Sequence, residues 1–552
     1  MIAPSSTLGA IGGPALWALA KARVGQWDRI ARSPALLRRV QEETLRACCR
    51  AAASSAFGRA HDLGRVRSHA DLRARVPLRS YEDFEPWIAR LLAGERDVLV
   101  PGLVPYLARS SGSTRTTKVK LLPITRRQIA WQRRQAFDVL ARYLLLSDDR
   151  RFPGGFTLGF LPPPIVEQRG AVGVTINPAL MQLEMPKISQ HLSLPRSPIR
   201  EIADQDARLR AIVDVYLDHD VRVVAGTTCW FTVLFDRLLE EARARGRDVS
   251  TVRDVWPNLR GLLGGGVRAS SYRKLLEERA GGPITLVDTY NATEGGCFAV
   301  TDRNGEDGMA IIPDRGVFFE FVPRAEHGRP DARRVPLWEV ERGEDYSVAL
   351  ATSSGLFGYL IGDVVRFESV FPHRLVFSGR VGAELAIAHE ATTARQIENA
   401  VRRAAEQHAC TLVEYAASAE LVESGGVGRY LLFVELEQAP LDLDAFARTV
   451  DEALREENWL YAIHRTRDVG LLPLVVIPLV PGATQRFARA VGRRGLQQKF
   501  PRVVQPNDDA TLAELFAVYD SSTPCSSQWT PRSSARSQRE ATSPAARGST
   551  SA

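Results

Sequence analysis

Lysine is scarce in this 552-residue chain: Lys21, Lys118, Lys120, Lys187, Lys274 and Lys499 are all there are, against 72 lysines and arginines together. Its positive charge is therefore arginine charge, interleaved with acidic residues as in Glu240-Glu241-Ala242-Arg243-Ala244-Arg245. The formal charge is +8 and the pI near 9.3, yet no basic block or stripe forms. A solvated mixed-charge surface is expected, and no nucleic-acid partner. Cysteine pairing is lacking too. Cys48, Cys49, Cys229, Cys297, Cys410 and Cys525 make no CxxC pair and no metal or disulfide spacing, so free thiols in a cytoplasmic protein are expected. Long apolar runs are also missing. Residues 8–20 are apolar, but they contain Gly12, Gly13 and Pro14, follow no basic residue and are too short to span a bilayer; neither signal peptide nor membrane partner is expected.

What remains is ordinary globular composition, 45% hydrophobic and 25% charged, in a chain long enough for more than one domain. The first sixty residues read as helix, with Ser33 and Pro34 forming a start signal and Leu37, Val40, Thr44 and Cys48 on one face. Residues 81–92 and 128–145 have helical patterns, and 156–161 has strand composition closed by Pro162-Pro163-Pro164. An alternation follows: helix 206–218, apolar run 221–225, helix 231–245, run 259–263, helix 272–279, run 284–287. This predicts an α/β fold with a parallel sheet and flanking helices, whose ligands sit beyond the carboxyl ends of the strands. Further strands are expected at 317–322 and 346–352.

Four strings carry candidate chemistry. Ser110-Ser111-Gly112-Ser113-Thr114 has a hydroxyl at nearly every position and one glycine, followed by Lys118 and Lys120; such a loop can turn OH and N–H groups onto phosphate, although similar strings also make ordinary loops. Gly264-Gly265-Gly266, after the run 259–263, permits either close backbone approach by a ligand or a structural turn. In Tyr290-Asn291-Ala292-Thr293-Glu294, an aromatic ring suits a base, a hydroxyl suits a phosphate oxygen, and a carboxylate suits Mg2+, which commonly uses one or two carboxylates beside phosphates. In Tyr359-Leu360-Ile361-Gly362-Asp363, an aspartate on a glycine turn can accept from both hydroxyls of a ribose.

In this order the strings resemble the GH3 family of acyl-acid amido synthetases, relatives of the acyl-adenylate-forming enzymes. The resemblance takes in residues 110–123, Tyr290 to Glu294 and Tyr359 to Asp363. It also takes in Phe57-Gly58-Arg59, Trp256-Pro257-Asn258-Leu259, Glu457-Asn458-Trp459-Leu460-Tyr461 and Gln497-Gln498-Lys499-Phe500-Pro501-Arg502. It implies a large N-terminal adenylate-forming domain, residues 1–378, with mixed and parallel sheets, and a small α+β C-terminal lid domain, 379–519. Residues 520–552, rich in Ser, Thr, Pro and Arg, read as a disordered tail. The implied reaction joins a carboxylic acid to ATP's α-phosphate with loss of pyrophosphate, then passes the acyl group to an amino acid or other amine. Implied roles are phosphate contact for Ser110, Ser111, Gly112, Ser113 and Thr293, adenine for Tyr290, Mg2+ for Glu294 and ribose for Asp363. Gly265, Gly266 and Arg380 are expected at the nucleotide, Arg380 within the hinge-like Ser378-Gly379-Arg380. Lys120 and Lys499 are the expected catalytic lysines; Lys118 competes with Lys120, and Lys499 either reaches the acyl-phosphate on domain closure or lies on the surface.

Departures accompany the resemblance. Gly358 and Leu360 occupy positions where the family commonly carries arginine, with Arg366 a replacement cation nearby. His389-Glu390-Ala391 stands for an expected Gly-Glu-Lys. Trp230 and Phe231 lie where an acyl pocket would form. An acyl-CoA ligase, and a nucleotide-binding relative without ligase activity, stay open as rival readings.

Overall fold

Ser33 ends one helix and begins the next: its N–H closes onto Ile30, and its hydroxyl accepts from the Leu36 N–H, capping Pro34–Ala52 after Ser6–Arg32. The computed structural model describes residues 6–526 apart from 111–119, 162, 165, 267–268, 307, 382–383, 386, 388–389, 391, 422–427, 439, 441, 466–470, 491–499 and 507. The described residues divide into two units, one running to Val381 and the other from Glu384 on. No described helix is long and apolar enough to cross a membrane.

In the first unit the predicted alternation forms one sheet. Its strands lie in the order Ser193–Leu194, Phe156–Phe160, Val221–Gly226, Gly261–Leu263, Thr285–Val287, every neighbouring pair parallel. The connecting helices Gln205–Tyr216, Cys229–Ala244 and Arg273–Ala280 match the sequence reading to within a few residues. Phe231, Phe235 and Trp256 are fully buried in the core beside this sheet, each contributing about 1.5–3 kcal/mol by leaving water.

Beyond it lies an eight-stranded antiparallel sheet ordered Thr289–Ala292, Gly296–Thr301, Met309–Ile311, Arg374–Arg380, Phe357–Ser369, Asp345–Thr352, Val317–Pro323, Val335–Pro336. A four-stranded sheet, Leu121–Ile124, Tyr106–Arg109, Val172–Ile176 and Glu167–Arg169, holds the segments on either side of 110–120. The helix Arg126–Ser147, capped by the Thr125 hydroxyl, packs against the Gly296–Thr301 strand. Its buried Asp138 accepts from both Arg23 and Arg315, tying the first helix to the Asp314–Arg315 turn.

The second unit sets helices Ala394–Gln407 and Leu443–Glu457 against the strands Leu412–Leu421, Gly428–Leu436 and Val475–Pro478. Phe446, Tyr430 and Tyr461 lie in its core. Part of the segment expected to be disordered packs here: Asp520 N–H bonds Pro478 O, Cys525 is buried, and Ser526 Oγ accepts from Val476 N–H. The rest, 527–552, lies outside the described residues.

Candidate functional site

The strand Thr285–Val287 runs through Asp288 directly into a hairpin, Thr289–Ala292 against Gly296–Thr301, with Thr293, Glu294 and Gly295 at its tip. The ladder's register shifts between Tyr290 and Asn291. Gly296 sits at φ +91°, and an added Cβ would lie 2.8 Å from Gln132 Cγ, so glycine is required where the tip meets the Arg126–Ser147 helix.

That helix holds the tip in place. Gln128 Nε2 donates to the Thr293 and Glu294 carbonyls at 3.1 and 3.2 Å, and Gln135 Nε2 donates to the Gly295 carbonyl at 3.0 Å. Gln135 Oε1 accepts from the Cys297 N–H at 2.9 Å.

Asp363 comes from the strand Phe357–Ser369, and here the expected glycine turn is corrected. Gly362, at φ +86°, lies inside the strand, and the pairing with Asp345–Thr352 jumps from Ser347↔Val364 to Ala349↔Leu360. The three residues between, 361–363, bulge from the ladder on that side, which re-aims Asp363 without ending the strand. On the other side Asp363 pairs with Arg380. Arg380 Nε donates to Asp363 Oδ1 at 2.9 Å, and the buried Tyr290 hydroxyl donates to Oδ2 at 2.9 Å.

These groups share one electrostatic neighbourhood. Burial pushes the Glu294 carboxyl up to about 7, the Asp363 charge adds to the rise, and the Arg380 and Lys120 charges oppose it. Asp363's charge raises Arg380, against the opposing pull of burial. Burial, with Asp363 beside it, also drives the Tyr290 phenol well above its ordinary value. Phe377, 39% exposed, lies with its ring centroid 6.3 Å from that of Tyr290 and presents an open aromatic surface beside it.

Ser110 and Lys120 close the base of the hydroxyl-rich loop, Ser110 N–H donating to Lys120 O at 3.0 Å. Lys120 Nζ sits 5.2 Å from the centre of the Tyr81 ring, and the Tyr81 hydroxyl accepts from Leu121 N–H at 2.9 Å. Ser111, Gly112, Ser113, Lys118 and Lys499 lie outside the described residues. The fold thus brings together Lys120, Tyr290, Glu294, Asp363 and Arg380, with Thr293 beside Glu294 on the hairpin tip.

The triple glycine is explained first by neighbouring chain. Gly264 N–H donates to Val287 O, Thr289 Oγ1 donates to Gly264 O at 2.6 Å, and a Cβ on Gly265 would stand 2.7 Å from Thr289 Oγ1. Gly266 takes φ +90°. Phe231 is core; half-buried Trp230 packs at 6.2 Å against Phe160. Gly358, at φ +61°, would press a Cβ to 2.6 Å from Pro77 O, so this backbone has no room for the arginine expected from the resemblance. Arg366 does not replace it: its guanidinium forks onto Asp345 at 2.6 and 3.1 Å, and Arg380 is the cation on Asp363. In the second unit Glu390 is structural, accepting from the Tyr430 hydroxyl at 2.5 Å and from Ile387 N–H at 2.9 Å.

Gln128 and Gln135 escaped sequence reading. Their signal is a polar row, Gln128, Gln132, Gln135 and Asp138, at spacings of four, three and three along one helical face. All four are buried.

Models of the GH3 family's N-terminal, central and C-terminal domains match residues 28–180, 310–380 and 395–508, together more than half of the chain. Indole-3-acetic acid-amido synthetase GH3.8 of Oryza sativa subsp. indica is 28% identical over 53% of this chain and 52% of that protein. Probable indole-3-acetic acid-amido synthetase GH3.12 of Oryza sativa subsp. japonica is 25% identical over 86% and 92%. Against GH3.8 the match spans about half of the relative's length. Among solved structures, AtGH3.15 acyl acid amido synthetase in complex with 2,4-DB superposes with TM-score 0.73 at 20% identity, covering 91% of this chain and 96% of that one. 2-Hydroxyisobutyryl-CoA ligase in the postadenylation state, in complex with 2-HIB-AMP, gives 0.55 at 15% identity over 87% and 92%. With all three domain models of one family matched in chain order, this chain belongs to the GH3 family.

Proposed function

We propose that the chain is an ATP-dependent acyl-acid amido synthetase, which adenylates a carboxylic acid and transfers the acyl group to an amino acid or other amine. The observation that carries this reading is the convergence on Asp363: its carboxylate takes one hydrogen bond on each oxygen, from Arg380 and Tyr290, and retains a lone pair on each. Those lone pairs suit the two hydroxyls of a ribose. Tyr290 and the exposed Phe377 make an aromatic wall for adenine. Gly265 and Gly266 bring backbone alongside it. Ser110, Ser111, Gly112, Ser113 and Thr293 supply donors to phosphate oxygens, and Lys120 supplies charge.

Glu294 fits a Mg2+ ligand. A 7%-exposed carboxyl raised to about 7 by burial gains from a cation beside it. Among the described residues no three His, Cys, Asp or Glu side chains gather as a protein-only metal cage, so the phosphates would complete the shell. When bound, Mg2+ supplies positive charge for the triphosphate oxygens.

The chemistry follows from the electrophile. A carboxylate repels nucleophiles, and its oxygen leaves badly. Its attack on the α-phosphorus releases pyrophosphate and gives an acyl-AMP; an amine then attacks the acyl carbon, AMP leaves, and the amine's proton is lost to give the amide. Lys120 and Arg380 offset negative charge as the α-phosphate is attacked.

Acid-dependent exchange of labelled pyrophosphate into ATP, screened across carboxylic acids, tests the first half. Supplying amino acids, other amines or CoA with the best acid and identifying the product tests the second. Amide product is expected. A thioester product would make the chain an acyl-CoA ligase, and absence of exchange across the panel would leave a nucleotide-binding relative.

A further inference from the structure

Gln128 joins two segments of the site that are far apart in sequence. A glutamine amide has two N–H donors and a carbonyl oxygen. Here both donors go to consecutive carbonyls of the hairpin tip, Thr293 O at 3.1 Å and Glu294 O at 3.2 Å. The oxygen accepts from the hydroxyl of Ser354. Ser354 is fully buried in the turn between Asp345–Thr352 and Phe357–Ser369, and the second of these strands carries Asp363. The Thr125 N–H, at the start of the helix bearing Gln128, donates to the same Ser354 hydroxyl at 3.4 Å.

We propose that Gln128 is a positioning residue of this site: by holding the carbonyls of Thr293 and Glu294 while accepting from Ser354, it sets the Glu294 carboxylate and the Thr293 hydroxyl relative to the Asp363 strand. The inference rests on the reading of Glu294 as the Mg2+ ligand. At 2% exposure Gln128 has almost no surface to offer a ligand, so its effect passes through the hairpin tip. Among the described residues, the other side-chain hydrogen bonds to the tip come from Gln135. Gln135 holds the next carbonyl, of Gly295, and Gln132, between them in the row, has neither amide atom hydrogen-bonded among the described residues. Losing the Gln128 donors would free two successive peptide planes, one of them Glu294's own.

The test is calorimetric ATP binding with and without Mg2+, with acid-dependent pyrophosphate exchange in parallel, for wild type and Gln128→Met, which keeps the volume and removes the amide. The tightening of ATP binding by Mg2+ is expected to shrink by about 10–100-fold in Gln128→Met, the usual effect of removing a group that orients a metal ligand. Affinity for ATP without Mg2+, and the KM for the acid, should change far less. A residue needed only for folding would lower the bound fraction equally in both conditions. If Gln128→Met does not fold, Ser354→Ala carries the comparison, because it removes the donor to the Gln128 oxygen and the acceptor of the Thr125 N–H while both Gln128 donors to the tip stay in place; a smaller loss in the same direction is expected.

A Mg2+ effect identical to wild type in the folded variant overturns the proposal while leaving the ligase reading intact. A wild type that binds Mg2+ and ATP together but exchanges with no acid overturns the ligase reading; loss of the Mg2+ effect in the variant still supports Gln128's role. A wild type whose ATP affinity ignores Mg2+ overturns both.

Discussion

Asp363 and Arg380 face each other on neighbouring strands, and Arg380 Nε donates to Asp363 Oδ1 at 2.9 Å. The two ends of the pair differ: the Asp363 side chain is 7% exposed and that of Arg380 45%. Solvent therefore screens the cation, and the pair adds only about 1 kcal/mol or less to stability. Arg380→Ala should lower the unfolding free energy by no more than that. ATP affinity should fall by more, since the same charge opposes the phosphates, and tenfold or more is expected by calorimetry. A larger loss of stability than of ATP affinity would make Arg380 a structural residue.

The glycines of this strand permit a sharper comparison. Gly358 and Gly362 both take positive φ, +61° and +86°, but a Cβ at Gly358 would stand 2.6 Å from Pro77 O, whereas a Cβ at Gly362 would meet none of the described residues within 4 Å. Gly362→Ala should cost only the left-handed backbone penalty, about 1–2 kcal/mol. Gly358→Ala adds a clash with backbone that other hydrogen bonds hold, Arg79 N–H to Gly358 O and Leu360 N–H to Arg79 O. Its cost should be larger, about 3 kcal/mol or more. Urea unfolding of the two variants checks the order, and equal losses would show that the Val76–Pro77 segment yields.

These two glycines also mark the limit of what the sequence disclosed. The parallel sheet was legible because apolar runs of strand length alternate with amphipathic helices, a local signal. The Gly362-Asp363 pair was read as a turn, since glycine before aspartate is common in turns; whether it bends a chain or bulges a strand depends on partners such as Ser347 and Arg380, which no local window contains. Tyr290 lies on a strand that no local pattern marks, short and partly polar, whose partner Gly296–Thr301 comes just past the tip. Gln128 is the clearest loss. A polar row on a helix reads as a solvated face, and only the backbone carbonyls 165 and 166 residues downstream make it an interior one.

A buried charge cluster elsewhere in the first unit gives a pH dependence. Burial alone would raise Glu320, but the Arg334 charge and the hydrogen bonds from Arg334 and His69 outweigh it and hold its pKa below the ordinary value. The folded state therefore binds this proton less readily than the unfolded chain. The stabilisation is fully present above the unfolded carboxyl pKa, about 4.3, and is lost as pH falls through the lower folded value. Between pH 6 and 3, urea stability of wild type should fall more steeply than that of Glu320→Gln, which lacks this proton equilibrium. Parallel slopes would place the acid sensitivity on other carboxylates.

Thr228 presents the opposite case, a buried polar atom with nothing to bond. Its residue is fully buried at the start of the Cys229–Ala244 helix; its N–H reaches Gly265 O at 3.3 Å, but among the described residues its Oγ1 has no hydrogen-bond partner. Burying a hydroxyl without a partner costs about 1–3 kcal/mol. Valine has nearly the same shape and no such cost. Thr228→Val should therefore raise the unfolding free energy of the ligand-free protein by about 1 kcal/mol, against the usual direction of a core substitution. Should a bound acid supply the missing partner, the same variant would show a raised KM for that acid with ATP affinity unchanged. Urea unfolding without ligand, set beside exchange kinetics with it, separates the two effects. A variant less stable than wild type would mean that the hydroxyl is already satisfied in solution.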